Sequence, residues 1–118
     1  MADWMDEINA ELRRAEQSNH PGRTRTAARR IAGIALRQVP DIQQKTSVTE
    51  DYIGILRVSM NVQEFPAEVQ GAASRLQARL SADFSSPSKD PMGDAMIIVA
   101  FVQKLLQRCG NATAFLNE

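Results

Sequence analysis

The side chains able to carry chemistry are few in this chain, and their spacing narrows the chemistry further. There is one histidine, His20, and one cysteine, Cys109. A single imidazole and a single thiol fall short of the ligand set of a structural zinc site, and one cysteine excludes a disulfide framework. His20 and Cys109 share no motif that would make them a nucleophile and its base. Glu7 and Glu11 lie one helical turn apart, but no Glu-x-x-His accompanies them, as a di-iron bundle requires. Neither phosphate-cradling glycine loop, GxxxxGK[ST] or GxGxxG, occurs. No metal and no cofactor is expected.

The remaining chemical signal is basic. Residues 22–40 hold Arg23, Arg25, Arg29, Arg30 and Arg37 and no acid, and Arg23, Arg30 and Arg37 are seven apart, on one side of a helix. One reading is a strip that contacts the phosphates of RNA or a nucleotide. The other is internal neutralisation: residues 1–12 hold Asp3, Asp6, Glu7 and Glu11, in a helix expected to pack beside the basic one. The same charges could pair across a dimer. Exposed pairs contribute only about 0–1 kcal/mol each, yet they select partner and orientation. The basic stretch lacks interleaved aromatics for base stacking, which favours neutralisation. So does the whole-chain balance of 14 basic and 14 acidic residues, which removes any global attraction to polyanions.

The elements that must position these residues are helices. At 118 residues, 43% hydrophobic and 24% charged, the chain has room for one core and is far from a disordered composition. Five segments carry the helical period and none alternates as a strand. The first, about 3–18, places Trp4, Ile8, Leu12 and Ala15 on one face, with acids at its start and Arg13 and Arg14 at its end, as the helix dipole favours. Asn19-His20-Pro21-Gly22 breaks the chain. The second, about 23–39, is rich in small residues (Ala27, Ala28, Ala32, Gly33, Ala35) and reads as the central helix. Gly33 costs about 1 kcal/mol of helix propensity against Ala, so close packing is its expected reason.

Residues 41–46 read as a polar connection. Ser47 with Glu50 has capping-box spacing, with Thr49 a competing cap, before a third helix that runs to about 62. The fourth starts at Pro66 and reaches Phe84, carrying Val69, Ala72, Ala73, Leu76 and Leu80 inward. After the loop Ser85-Ser86-Pro87-Ser88-Lys89, Asp90-Pro91 opens the fifth by a carboxylate cap, and Gly110 is expected to stop it. This helix is apolar nearly all round, which suits a bundle's centre or a subunit interface. The expected architecture is an all-α, antiparallel up-and-down bundle of four to five helices, one domain over residues 1–110 with a C-terminal tail over 111–118. The longest apolar run, residues 95–102, is far short of a membrane span, and the acidic start lacks the order of a signal peptide; a cytoplasmic location is expected.

Three stretches carry a family resemblance. Asp3-Trp4 with Glu7-Ile8, Glu11-Leu12 and Ala15 is similar to the opening helix of the HEPN (higher eukaryotes and prokaryotes nucleotide-binding) family of small helical bundles. Gly22-Arg23 and the run from Ala27 to Leu36 resemble its alanine-rich second helix. Pro91, Asp94-Ala95, Ile98-Val99, Val102 and Leu105-Leu106 resemble its closing helix. The resemblance implies one of two roles: a ribonuclease of toxin–antitoxin or phage-defence systems, or a non-catalytic partner of a small nucleotidyltransferase.

Ribonuclease members carry Arg, four to six residues, then His in the later half of the chain, where the pair meets its copy across a dimer. Here no histidine follows His20, so Arg75 and Arg79 have no downstream partner. Arg14, or Arg13, with His20 satisfies the spacing formally, but a Pro-Gly turn is a poor platform for a preorganised acid or base. Arg14 and His20 are the sole catalytic candidates, and no catalytic residue is assigned. The function expected is therefore that of a non-enzymatic interaction protein. It would act as a homodimer through Ile97, Phe101 and Leu105 of the fifth helix, with a nucleotidyltransferase-type protein as a toxin–antitoxin-like partner. The alternative is a ribonuclease or RNA-binding protein using Arg23, Arg30 and Arg37.

Overall fold

Small side chains decide where this chain closes on itself. In α2 (Pro21–Leu36), Ala28, Ala32 and Ala35 are fully buried together with Ile31 and Leu36. A helix surface of methyl groups lets neighbours approach at the short end of the usual 8–10 Å interaxial range. Three helices use that access: α6 (Pro91–Leu116) packs along α2 most extensively, followed by α1 (Asp3–Glu16) and α4 (Tyr52–Ser59). The last helix of the core, α5 (Ala67–Gln77), closes against α6 and α4 and touches α2 lightly. The short α3 (Pro40–Lys45) leans on α4 and buries Ile42. The computed structural model describes residues 3–17, 21–46, 51–78 and 90–116, and among these there are six helices and no strand. The protein is an all-α helical bundle with one contiguous apolar core, running from Ile8 to Val102.

Chain direction follows from cross-helix contacts. Arg75, near the end of α5, binds Asp94, near the start of α6, while Phe65, just before α5, meets Phe101 edge-on further along α6. The two helices are therefore antiparallel. The Arg75 guanidinium holds the Asp94 carboxylate with two hydrogen bonds, 3.1 Å from Nε and 2.8 Å from Nη2. That bonding raises the Arg75 pKa above its ordinary value, with burial opposing. Bidentate geometry of this kind fixes register as well as distance.

Several boundaries differ from the sequence expectation, each for a local reason. The connection 41–46 is largely helical: Pro40 sits in the first turn and Ile42 is the single apolar anchor, too little to show a period. The cap of α4 is Asp51, whose side chain accepts from the Gly54 N–H at 2.7 Å; Ser47, Thr49 and Glu50 lie outside the described residues. After Ser59, i→i−3 bonds from Asn61 and Val62 tighten the chain and bury Val62 and Phe65 instead of continuing the helix. Pro66 is the residue before α5, its carbonyl accepting from Val69 and Gln70, and α5 ends at Gln77. The expected extension to Phe84 lies outside the described residues beyond Ala78. At α6 the expected carboxylate cap is present, Asp90 accepting from the Gly93 N–H at 3.0 Å. The helix passes through Gly110 and reaches Leu116. A glycine stops a helix only when it adopts the left-handed C′ conformation; inside one it merely costs about 1 kcal/mol.

Gly33 shows why a poor helix former stands at the centre. A Cβ there would overlap the Tyr52 ring of α4, so the missing side chain is the seat for that ring. Gly33→Ala is expected to lower stability in denaturant titrations, because an overlap costing about 1–3 kcal/mol outweighs the roughly 1 kcal/mol gain in propensity. In a Tyr52→Ala background the same substitution should cost less, because only the Cβ of residue 52, 3.0 Å away, still opposes it. Equal effects in both backgrounds would mean that the ring is not what requires the glycine.

Candidate functional site

The half-exposed surface of α6 is the first candidate. Its inner arc, Asp94, Ala95, Ile98, Val99 and Val102, is buried. At 100° per residue, Ile97, Phe101 and Leu105 follow one another along the edge of that arc at i, i+4 and i+8. All three are half-buried and pack against the core. With Pro66 and Glu68 from the start of α5, and Ala100, Lys104 and Arg108 from the outer side of α6, they line an open groove of about 370 Å³. Its floor is apolar and its charged residues stand at the rim. Glu68, Lys104 and Arg108 are exposed, and none is within ion-pairing distance of another described side chain.

Phe101 belongs to two surfaces. Its ring meets that of Phe65 edge-on, with centroids 4.9 Å apart and planes inclined at 64°. Phe65 is buried, so this contact anchors the α4–α5 connection to α6. Phe101 also lines the groove. Ile97 and Leu105 have no such aromatic partner among the described residues.

The arginine strip of α2 is the second candidate, and tertiary contacts divide it. Arg30 is exposed and its Nη1 lies 3.8 Å from Oε1 of Glu11 on α1, a carboxylate that also accepts from Arg14 at 2.7 Å. Pairing of the acidic first helix with the basic second is thus present at one position. Arg37, in the turn that follows α2, lies over the face of Tyr52, with the guanidinium carbon 4.9 Å from the ring centroid. Its charge is partly spent on the ring quadrupole. Arg23 remains an exposed residue in the first turns of α2.

The sequence pattern did not single out Arg29 from its neighbours, yet it has the most specific geometry of the group. Its Nε donates to the Leu76 carbonyl at 2.6 Å and its Nη2 to the Ala78 carbonyl at 2.9 Å. These oxygens sit at the C-terminal end of α5, where carbonyls lack helical partners and a cation is favoured. Burial, and secondarily the nearby charge of Arg25, lowers the Arg29 pKa below its ordinary value. Arg25 has its own cost: Nε is buried without a hydrogen-bond partner among the described residues. No spacing rule could have found the Arg29 clasp, since its acceptors are backbone atoms nearly fifty positions along the chain.

Of the catalytic candidates, Arg14 is exposed and bonded to Glu11, while His20 lies outside the described residues. The Cys109 side chain also lies outside them, although its backbone is within α6. Among the described residues no three His, Cys, Asp or Glu side chains converge, and no helix is long and apolar enough to cross a membrane.

Comparison with family models, with curated proteins and with solved structures finds no match to this chain.

Because Phe101 supports Phe65, the three groove residues should separate in stability measurements. Phe101→Ala is expected to cost about 3 kcal/mol, the low end for a buried Phe. Leu105→Ala, truncating a side chain with more of its surface in solvent, should cost under about 2 kcal/mol. Thermal or chemical denaturation followed by circular dichroism gives the comparison. A Phe101 variant as stable as the wild type would place the ring entirely on the surface.

Proposed function

We propose that this chain is a non-enzymatic, HEPN-like interaction protein that works through self-association and through a protein partner. The observation that supports this reading above others is the strip Ile97, Phe101 and Leu105. It leaves a continuous apolar edge half-exposed along the longest helix, at the bottom of an open groove with charged rims. Helix-sized apolar grooves with polar rims have the anatomy of helix-in-groove and subunit interfaces. The HEPN likeness is supported by the order of the elements: an acidic opening helix, a small-residue helix on which the others close, and a long apolar closing helix. On that likeness the protein partner is a nucleotidyltransferase-type protein in a toxin–antitoxin-like pair.

The contacts of α2 weigh against the phosphate-binding alternative. Of Arg23, Arg30 and Arg37, Arg30 faces a carboxylate and Arg37 covers an aromatic ring. A phosphate strip would need all three cations turned outward together. The two roles separate in solution. Light scattering should report a dimer, and Ile97→Glu should yield a monomer that keeps its helical circular dichroism signal. RNA at low salt should be neither bound nor cut. A wild-type protein that is monomeric at every accessible concentration removes self-association. RNA affinity that falls steeply with salt, and that Arg30→Glu with Arg37→Glu weakens, would install the alternative.

A further inference from the structure

The charges around the groove on α6 are unevenly placed. After Asp94 the helix contains no acid, so Lys104 and Arg108, one turn apart, have no carboxylate three or four residues away on their own helix. Both are exposed, both line the groove, and neither is ion-paired among the described residues. Like charges at this spacing repel each other. The acid of the groove, Glu68, stands apart from them: the Arg75–Asp94 and Phe65–Phe101 contacts put the first turn of α5 beside about residues 98–101 of α6. Past Phe101, the charged residues lining the groove are both cations.

Their spacing matches that of the apolar floor. Ala100, Lys104 and Arg108 form one row along α6 at i, i+4 and i+8, and Ile97, Phe101 and Leu105 form a second row beside it. Each row advances about 6 Å per step at 1.5 Å rise per residue. A second helix laid along the groove presents its own side chains at the same step. Its apolar stripe would cover the floor, and carboxylates one turn apart beside that stripe would meet Lys104 and Arg108. An extended peptide has a similar step, but the described residues include no sheet edge to pair its backbone, whereas a helix bonds its main chain internally. Glu68 opposes acids in the other half of the groove. We infer that the groove binds an acidic amphipathic helix of a protein partner, its apolar stripe on Ile97, Phe101 and Leu105 and a carboxylate pair on Lys104 and Arg108. The inference rests on the protein-partner part of the proposed function and specifies the chemistry of that partner.

Synthetic helices test it. Two fluorescent peptides of about 14 residues, roughly 21 Å as helices, carry a leucine stripe and two glutamates one turn apart. The glutamates lie near the N-terminus in one and near the C-terminus in the other, so that both chain directions are covered. Controls carry lysine for glutamate, or the same residues reordered so that the leucines share no face. The full chain is titrated into each and binding is followed by anisotropy. One glutamate peptide should bind roughly ten-fold or more tightly than its lysine and reordered controls, and its affinity should fall with added salt. Lys104→Glu with Arg108→Glu should invert the preference for glutamate over lysine. Lys104→Gln with Arg108→Gln should abolish it, and decides the matter where charge reversal costs helicity. Absence of binding by both glutamate peptides overturns the inference, as does a preference that survives these substitutions. Equal binding of the reordered peptide would make the two cations a site for any polyanion and overturn it too. Light scattering on the chain alone decides self-association separately: a dimer that ignores the peptides leaves that reading standing, and a monomer that binds them removes self-association only.

Discussion

Everything in the bundle is arranged around the narrowness of α2. Alanine and glycine at its contact positions bring the backbones of α1, α4 and α6 close, and close backbones make a well-packed core from modest side chains. The cost falls on the rest of the helix. With so much of its circumference occupied by neighbours, its arginines cannot all extend freely into water. Arg29 reaches the end of α5, Arg30 approaches Glu11 on α1, and Arg37 lies on Tyr52 of α4. The charged side of α2 thereby becomes a set of clasps, each joining the central helix to a different neighbour. Individually such contacts are weak at a surface, but they are specific in direction, so they select one helix arrangement among several with similar apolar burial.

The Arg29 clasp has a further consequence. Carbonyls at a helix C-terminus are ordinarily satisfied by water, by a left-handed cap or by a basic side chain in the last turn. Here the cation comes from a different helix, and the residue after α5, Ala78, is already extended. The end point of α5 is therefore coupled to the packing of α2. Substitutions in the middle of α2 can be expected to act on α5 without touching it.

In α6, one helix serves two surfaces. Its inner arc completes the core, and its outer edge forms the groove, with Phe101 belonging to both. Shared residues tie the stability of the monomer to the surface it offers. Ile97 and Leu105, which make no ring–ring contact with Phe65, are freer to vary with what the groove binds. The rim charges are freer still, since no described side chain pairs with them, and they set orientation more than affinity.

The helical class was legible from the chain alone, because the period of apolar residues is set by backbone geometry that every sequence shares. So were the carboxylate cap at Asp90, which depends on residues three apart, and the central place of α2, which depends on side-chain size. Gly33 was legible as a close contact, though not as the seat of Tyr52. Short α3 was hidden because a single apolar residue has no period, and the Asp51 cap because a competing Ser/Thr–Glu spacing lies just upstream. The duties of the arginines and of Phe101 were not legible at all. Pattern tells which residues share a face; it does not tell which other face arrives there. Arg29 finds carbonyls, Arg37 an aromatic ring and Phe101 a second phenyl group only after distant segments are brought together, and that arrangement is decided by packing of the whole.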